Sequence, residues 1–246
     1  MRTSEARRWF ERRSSVAKTG TEIILALDSD SLDDAMRIVD LTRDHVENYK
    51  VGSILFTHHG TESVKKVKQA GGSIFLDLKF HDIPNTVQGA VRGAARLGVR
   101  ILTVHTPGGI EMMKAAGEGA REGAEEAGVD KPIVVGVTVL TSIQREGGVK
   151  DLVLERTADV VEAGIDGVVC SAHELPMIRS RFGDGLVTVV PGIRLSDQSG
   201  DDQARVATPG QAARDGADFL VIGRSVTRSK DPATTLKRIK EEIGNA

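Results

Sequence analysis

Four ionic side chains stand where they could do chemistry together. Asp77 and Lys79 lie two residues apart in the run Ser73–Lys79, and Asp82 follows three residues later. Alternate residues of a strand share a face, so a strand here sends Asp77 and Lys79 to the same side. Lys50 lies in an earlier run, Asn48–Gly52, and Asp82 has to reach the others from a loop. The result is an alternating set of two ammonium groups and two carboxylates. Such a set can hold a proton donor against a developing negative charge. It can equally be a salt-bridge network without catalytic duty, because buried charges need partners in either case.

A second signal concerns anions. Gly192 with Arg194, and Gly223 with Arg224, each close an apolar run. Glycine lets an anion approach backbone N–H groups, and arginine adds a bidentate fork. Gly-Arg pairs also occur as plain turns after strands. The adjacent His58 and His59 do not converge on one ion, and no third ligand stands near them in the sequence. His105 reads as a histidine held by hydrogen bonds, His81 as a loop-positioning residue, and Cys170, beside Val168 and Val169, as core.

Short β-branched runs alternate with longer amphipathic segments from Ile23 onward. The expected strands are Ile23–Asp28, Asn48–Gly52, Ser73–Lys79, Ile101–His105, Ile133–Leu140, Gly167–Ser171, Val187–Gly192 and Phe219–Gly223. Helical patterns lie between them, as at Leu32–Arg43, Thr61–Ala70, Val87–Leu97, Glu111–Ala127 and Leu152–Ala163. Glycines 71, 98, 128 and 164 follow four of these where a left-handed cap belongs. Eight such units predict parallel pairing with right-handed crossovers. Leu27-Asp28-Ser29-Asp30 is acidic where a dinucleotide-binding sheet needs its glycine-rich turn, so a closed (β/α)8 TIM barrel is expected. In that architecture every candidate above gathers at the C-terminal mouth, and the two Gly-Arg pairs occupy the loops that often bind phosphate.

The 246 residues suit one such domain, spanning 21–246, behind a short N-terminal extension. Residues 1–20 carry a formal excess of positive charge together with Trp9 and Phe10. They read either as a helix docked on the outside or bottom of the barrel or as a disordered tail. Lys and Arg (33) nearly balance Asp and Glu (35), which argues against a nucleic-acid partner. No apolar run is long enough to span a bilayer, and no signal-peptide core follows the basic start. With one cysteine and no intrachain disulfide, a cytoplasmic protein is expected.

The residues also match a known pattern. Asp77-Leu78-Lys79-Phe80-His81-Asp82-Ile83-Pro84-Asn85-Thr86 resembles the D-x-K-x-x-D-I-P-x-T signature of the orotidine 5′-phosphate decarboxylases in its bacterial form. Further pieces of that pattern follow in order. They include Ala26-Leu27-Asp28, Lys50-Val51-Gly52, Val137 to Ser142, Pro191 to Arg194, Asp202-Gln203 and Val221 to Ser225, and the likeness covers roughly residues 22–240. Sister families of metal-assisted sugar-phosphate enzymes share the D-x-K-x-x-D core; Lys50, the Ile-Pro-Asn-Thr continuation and the Gln203 region resemble the orotidylate branch.

The resemblance implies decarboxylation of orotidine 5′-monophosphate to uridine 5′-monophosphate, with no cofactor and no metal. It implies Lys79 as proton donor to C6, Asp77 beside the substrate carboxylate, and Lys50 and Asp82 completing the charged network. It further implies a homodimer in which Asp82 and Thr86 cross the interface. Asp28 and Lys50 would hold the ribose hydroxyls, Thr141 and Ser142 the pyrimidine edge, and Gln203, Gly223, Arg224 and Arg194 the phosphate. Ser196–Arg205 reads as a lid. A silent phosphate-binding barrel is the other class of reading, although a binding module has no need of the costly charged cluster.

Overall fold

The apolar runs that alternate along the chain become strands buried on both faces, as parallel pairing requires. The computed structural model describes residues 20–139, 148–195 and 207–246. Its elements, in chain order, begin with β1 (Glu22–Ala26), α1 (Leu32–Thr42), β2 (Asn48–Gly52), α2 (Ser53–His59), α3 (Thr61–Gln69), β3 (Ser73–Phe80) and α4 (Pro84–Arg96). Then come β4 (Ile101–His105), a 3-10 turn (Thr106–Gly108), α5 (Ile110–Ala127), β5 (Ile133–Val137), α6 (Val149–Ala163), β6 (Gly167–Val169) and α7 (Leu175–Phe182). The series ends with β7 (Val187–Pro191), α8 (Pro209–Arg214), β8 (Phe219–Ile222), α9 (Arg224–Thr227) and α10 (Pro232–Gly244). All eight strands pair in parallel and in sequence order, and β8 returns to β1 to close the barrel. This is the (β/α)8 architecture expected from the sequence.

Several boundaries differ from expectation, most of them at the mouth. The first strand stops at Ala26 and leaves Asp28 in the loop beyond it. The fifth stops at Val137 and not Leu140, and the sixth at Val169 and not Ser171. Here side chains begin to replace the backbone ladder: Thr138 donates to the Val169 carbonyl through its hydroxyl at 3.0 Å. Glycines 71, 98, 128 and 164 all take positive φ at or just past helix ends, where an L-residue would be strained. Residues 1–19, 140–147 and 196–206 lie outside the described residues. The expectations for Trp9 and Phe10, for Thr141 and Ser142, and for Gln203 and the lid therefore lie there too. No described helix is long and apolar enough to cross a membrane.

Inside the barrel, Ile24, Phe75, Ile101, Val135, Val189 and Phe219 form a filled core rather than a channel. Below them Arg100 seals the lower end. Its guanidinium donates to both Glu22 oxygens at 2.7 and 2.8 Å, to Asn48 Oδ1 at 2.6 Å, and lies 5.3 Å from the centre of the Phe219 ring. Outside, the helices cover a second apolar layer that includes Leu25, Tyr49, Leu76 and Leu102.

The helix that follows the charged third strand is fastened hard. Gly119 and Gly123 on α5 face the backbone of α4 so closely that an added Cβ would collide with the Gln88 and Arg92 carbonyl oxygens. Gln88 also bonds Glu122 at 3.1 Å, and Arg96 reaches Glu126 at 3.5 Å. Gly119→Ala should therefore destabilise the protein by about 1–3 kcal/mol through overpacking. Gly117→Ala, whose new methyl meets only Ile165 at 3.5 Å, should be neutral or stabilising. Denaturant melts of the two variants check this, and equal stability would refute the close-packing account.

Candidate active site

A cavity of about 910 Å³ opens at the C-terminal ends of the strands. Ala26, Phe75, Val137, Val169, Val189 and Val221 supply its apolar floor and walls. Asp28, Lys50, Asp77 and Lys79 come from β1 to β3 and the loop after β1, and Arg194 and Arg224 from beyond β7 and β8. Because β8 closes onto β1, the ionic cluster and the arginines occupy adjoining sectors of the same rim. A larger cavity, about 1170 Å³, lies at the opposite end beside Gly20, Glu22, His45 and Lys240. The facing charges stand at the mouth, which is the working end of such barrels.

The cluster is built around Asp77. Its Oδ1 accepts from Lys79 Nζ at 2.7 Å and from the Thr103 hydroxyl at 3.1 Å. Its Oδ2 lies 3.6 Å from Lys50 Nζ, which in turn donates to Asp28 Oδ1 at 2.7 Å. The side chains of Asp77 and Lys50 are each only 12% exposed, so water does little to screen them from one another. Within one chain the alternating set is thus Asp28, Lys50, Asp77 and Lys79. Asp82 is not part of it: it is exposed, and its carboxylate accepts from the Ile83 N–H at 2.6 Å. Thr86, in the first turn of α4, is exposed as well.

Asp77 and Lys79 both reach the cavity, but the strand between them does not follow simple alternation. Leu76 pairs with Leu102 and Phe80 with Val104, which leaves Asp77, Leu78 and Lys79 opposite Thr103 alone. The third strand bulges at its catalytic-looking end, as strands often do where a side chain must be re-aimed. Lys79 takes a φ of 52°, the only positive value outside glycine among the described residues. A conformation of that kind costs about 1–3 kcal/mol and persists only where the surroundings enforce it.

Gly192 takes a φ of 80° and leads to Arg194, whose N–H donates to the Ala207 carbonyl at 3.2 Å. Gly223 precedes α9, which Arg224 begins. Among the described residues neither arginine is paired with a carboxylate. His58 and His59 contact separate carbonyls, those of Ile54 and Asp30, at 3.0 and 2.8 Å. Cys170 is buried, and burial pushes its thiol far up, as expected for a core cysteine. His105 differs from expectation: its ring makes no hydrogen bond among the described residues and stands 5.5 Å from the ring of His81. Burial, then the nearby His81 and Lys79, hold its imidazole below the ordinary histidine range.

Three further residues went unnoticed in the sequence. Thr103 shares the inward face of His105 by strand alternation, a signal that was present. Gly52 leaves room for Lys50, since a Cβ there would lie 2.8 Å from Lys50 Nζ. Arg228 lines the cavity one helical turn after Arg224, again by a spacing that could have been read.

Comparison with known proteins adds to this geometry. Residues 21–239 match the model of the family described as "Orotidine 5'-phosphate decarboxylase / HUMPS family". A protein of Legionella pneumophila (strain Paris) named orotidine 5′-phosphate decarboxylase is 43% identical, covering 90% of this chain and 99% of the relative. One of Escherichia coli O9:H4 (strain HS) with the same name is 43% identical, covering 94% of this chain and 96% of its own. The crystal structure of orotidine 5′-phosphate decarboxylase from Lactobacillus acidophilus superposes with a TM-score of 0.81 at 36% identity, covering 92% of this chain and all of that one.

The His105 environment has a measurable consequence. Its folded-state pKa is lowered, so on acidification the unfolded chain takes up the proton first. The corresponding stability is present at neutral pH and is lost as pH falls below about 6.5 toward the folded value. His105→Gln should lose less stability than the parent between about pH 7.5 and about pH 5.5. Identical losses in denaturant melts would show that this histidine is not held neutral.

Proposed function

The chain belongs to the orotidine 5′-phosphate decarboxylase / HUMPS family, and on that premise we propose that it converts orotidine 5′-monophosphate to uridine 5′-monophosphate and carbon dioxide without a cofactor. The observation that carries the reading is the Lys79 ammonium, anchored 2.7 Å from Asp77 in a cavity with an apolar floor and a charged rim. Breaking the bond from C6 to its carboxylate leaves the electron pair on C6, with no neighbouring carbonyl to delocalise it. A preorganised cation at that carbon gains in strength as charge arrives and needs no reorganisation. Lys79 then passes its proton to C6, and water restores the lysine.

Asp77 stands on the carboxylate side. Its own negative charge disfavours a charged carboxylate beside it and leaves neutral carbon dioxide unopposed. Lys50 and Asp28 hold the ribose hydroxyls, with Thr141 and Ser142 on the pyrimidine edge. Arg194, Gln203, Gly223 and Arg224 take the phosphate. The phosphate lies far from the reacting bond, so its binding energy can be used to orient the ring.

The reading includes a cytoplasmic homodimer. Asp82, in the exposed segment between β3 and α4 where Ile83 is 66% exposed, and Thr86, in the exposed first turn of α4, stand together at the surface. They would complete the partner's site, supplying the carboxylate that the single chain does not bring to its own cluster.

Turnover is tested by ultraviolet absorbance of orotidine 5′-monophosphate in buffer containing a chelator. The expected result is a spectral shift to the product; loss of activity with the chelator would instead favour the metal-assisted sugar-phosphate branch. Lys79→Ala should lower kcat by more than about 10³-fold while uridine 5′-monophosphate still binds. Near-normal kcat in that variant would sink the assignment. Arg224→Ala should raise KM for the nucleotide but leave the bare nucleoside reaction unchanged; equal loss with both would remove Arg224 from the phosphate site.

A further inference from the structure

We propose that Thr103 is a positioning residue whose hydroxyl holds both the backbone and the acceptor of Lys79. The inference rests on the reading of Lys79 as the proton donor. Thr103 is fully buried in the middle of β4, flanked by Ile101, Leu102 and Val104. Its Oγ1 accepts from the Lys79 backbone N–H at 2.9 Å and donates to Asp77 Oδ1 at 3.1 Å. That same Oδ1 accepts from Lys79 Nζ at 2.7 Å. One hydroxyl therefore ties the two ends of the lysine: the peptide from which it springs, and the carboxylate on which its ammonium rests.

The bulge explains why a side chain is needed. Three residues of β3 face Thr103 alone, so the regular ladder cannot satisfy the Lys79 amide. Lys79 also sits at a φ of 52°, which a regular strand would not adopt. A buried amide without a partner is costly, and relaxation of the bulge would swing the lysine away from Asp77. Valine in place of Thr103 would keep the shape and the strand propensity but lose both bonds. The hydroxyl donates to Asp77 and accepts from Lys79, a pairing that needs both functions of one O–H group. Thr103 does not line the cavity, so it acts through Lys79 and not on substrate.

The test compares Thr103→Val, Thr103→Ala and Thr103→Ser in the full chain. Thr103→Val should lower kcat about 10- to 100-fold with KM changed less than about threefold, because orientation of the donor is lost while binding groups remain. Thr103→Ser should return kcat to within about threefold of the parent. Independently of activity, exchange of the Lys79 amide proton should quicken at least about tenfold in Thr103→Val and keep its parental rate in Thr103→Ser. If the valine variant does not fold, Thr103→Ala carries the same expectations. Unchanged kcat on removal of the hydroxyl overturns the proposal, as does a serine variant as impaired as the valine one. Loss of kcat matched by equal loss of uridine 5′-monophosphate affinity assigns Thr103 a general structural role and also overturns it. If the parent protein fails to decarboxylate orotidine 5′-monophosphate, the functional reading falls; amide exchange still decides whether Thr103 holds Lys79.

Discussion

The carboxylate of Asp77 sits among two ammonium groups and a hydroxyl, nearly out of reach of water, and the arrangement of the mouth follows from keeping it there. Two partly buried cations on neighbouring strands repel each other unless an anion stands between them. Asp77 is that anion, and removing it would leave the shielded Lys50 ammonium without it, a destabilising change. Asp28 relieves Lys50 from the other side. The strand order makes this possible: β1, β2 and β3 are neighbours in register, with Ala26 opposite Lys50 and Gly52 opposite Asp77. Gly52 then leaves the space that the Lys50 ammonium occupies.

The same constraint explains where the barrel is irregular. Elsewhere the strands obey simple alternation, with one face toward the filled interior and the other toward the helices. Among the described strands, β3 alone departs from it, toward β4, over the residues that carry Asp77 and Lys79. The helix that follows is braced against α5 by glycines in the facing surface and by polar pairs. The bulge is thus set between two braced parts, the ladder below and the helix beyond.

The sequence made the architecture legible, because β-branched runs, helical periods and cap glycines all pointed to the same answer. It also made Asp77, Lys79 and Lys50 legible as a group, since strand parity and strand order were enough to converge them; Asp28, which takes the fourth place, was read only as a ribose contact. Parity alone misjudged how Lys79 gets there: a bulge depends on the pairing partner, which no single strand's pattern reveals. Thr103 was hidden for a related reason. A threonine in a strand is ordinary, and its role emerges only from the mismatch across from it. Asp82 shows a different limit, since spacing joined it to the motif but the folded chain turns it to the Ile83 amide. The strand ends were misplaced at the mouth, where side-chain hydrogen bonds take over from the ladder.

Arg100 and the apolar layer above it close the lower end of the barrel. Among the described residues, the cavity consequently opens at the mouth and not at the base. Whatever enters to react and whatever is formed must pass the same rim, between the ionic cluster and the arginines. Traffic through a single doorway is ordered by size and depth: a small fragment released beneath a larger one leaves around it or after it. The packing at the base of the barrel, remote from any reacting atom, thereby sets the route that substrates and products must share.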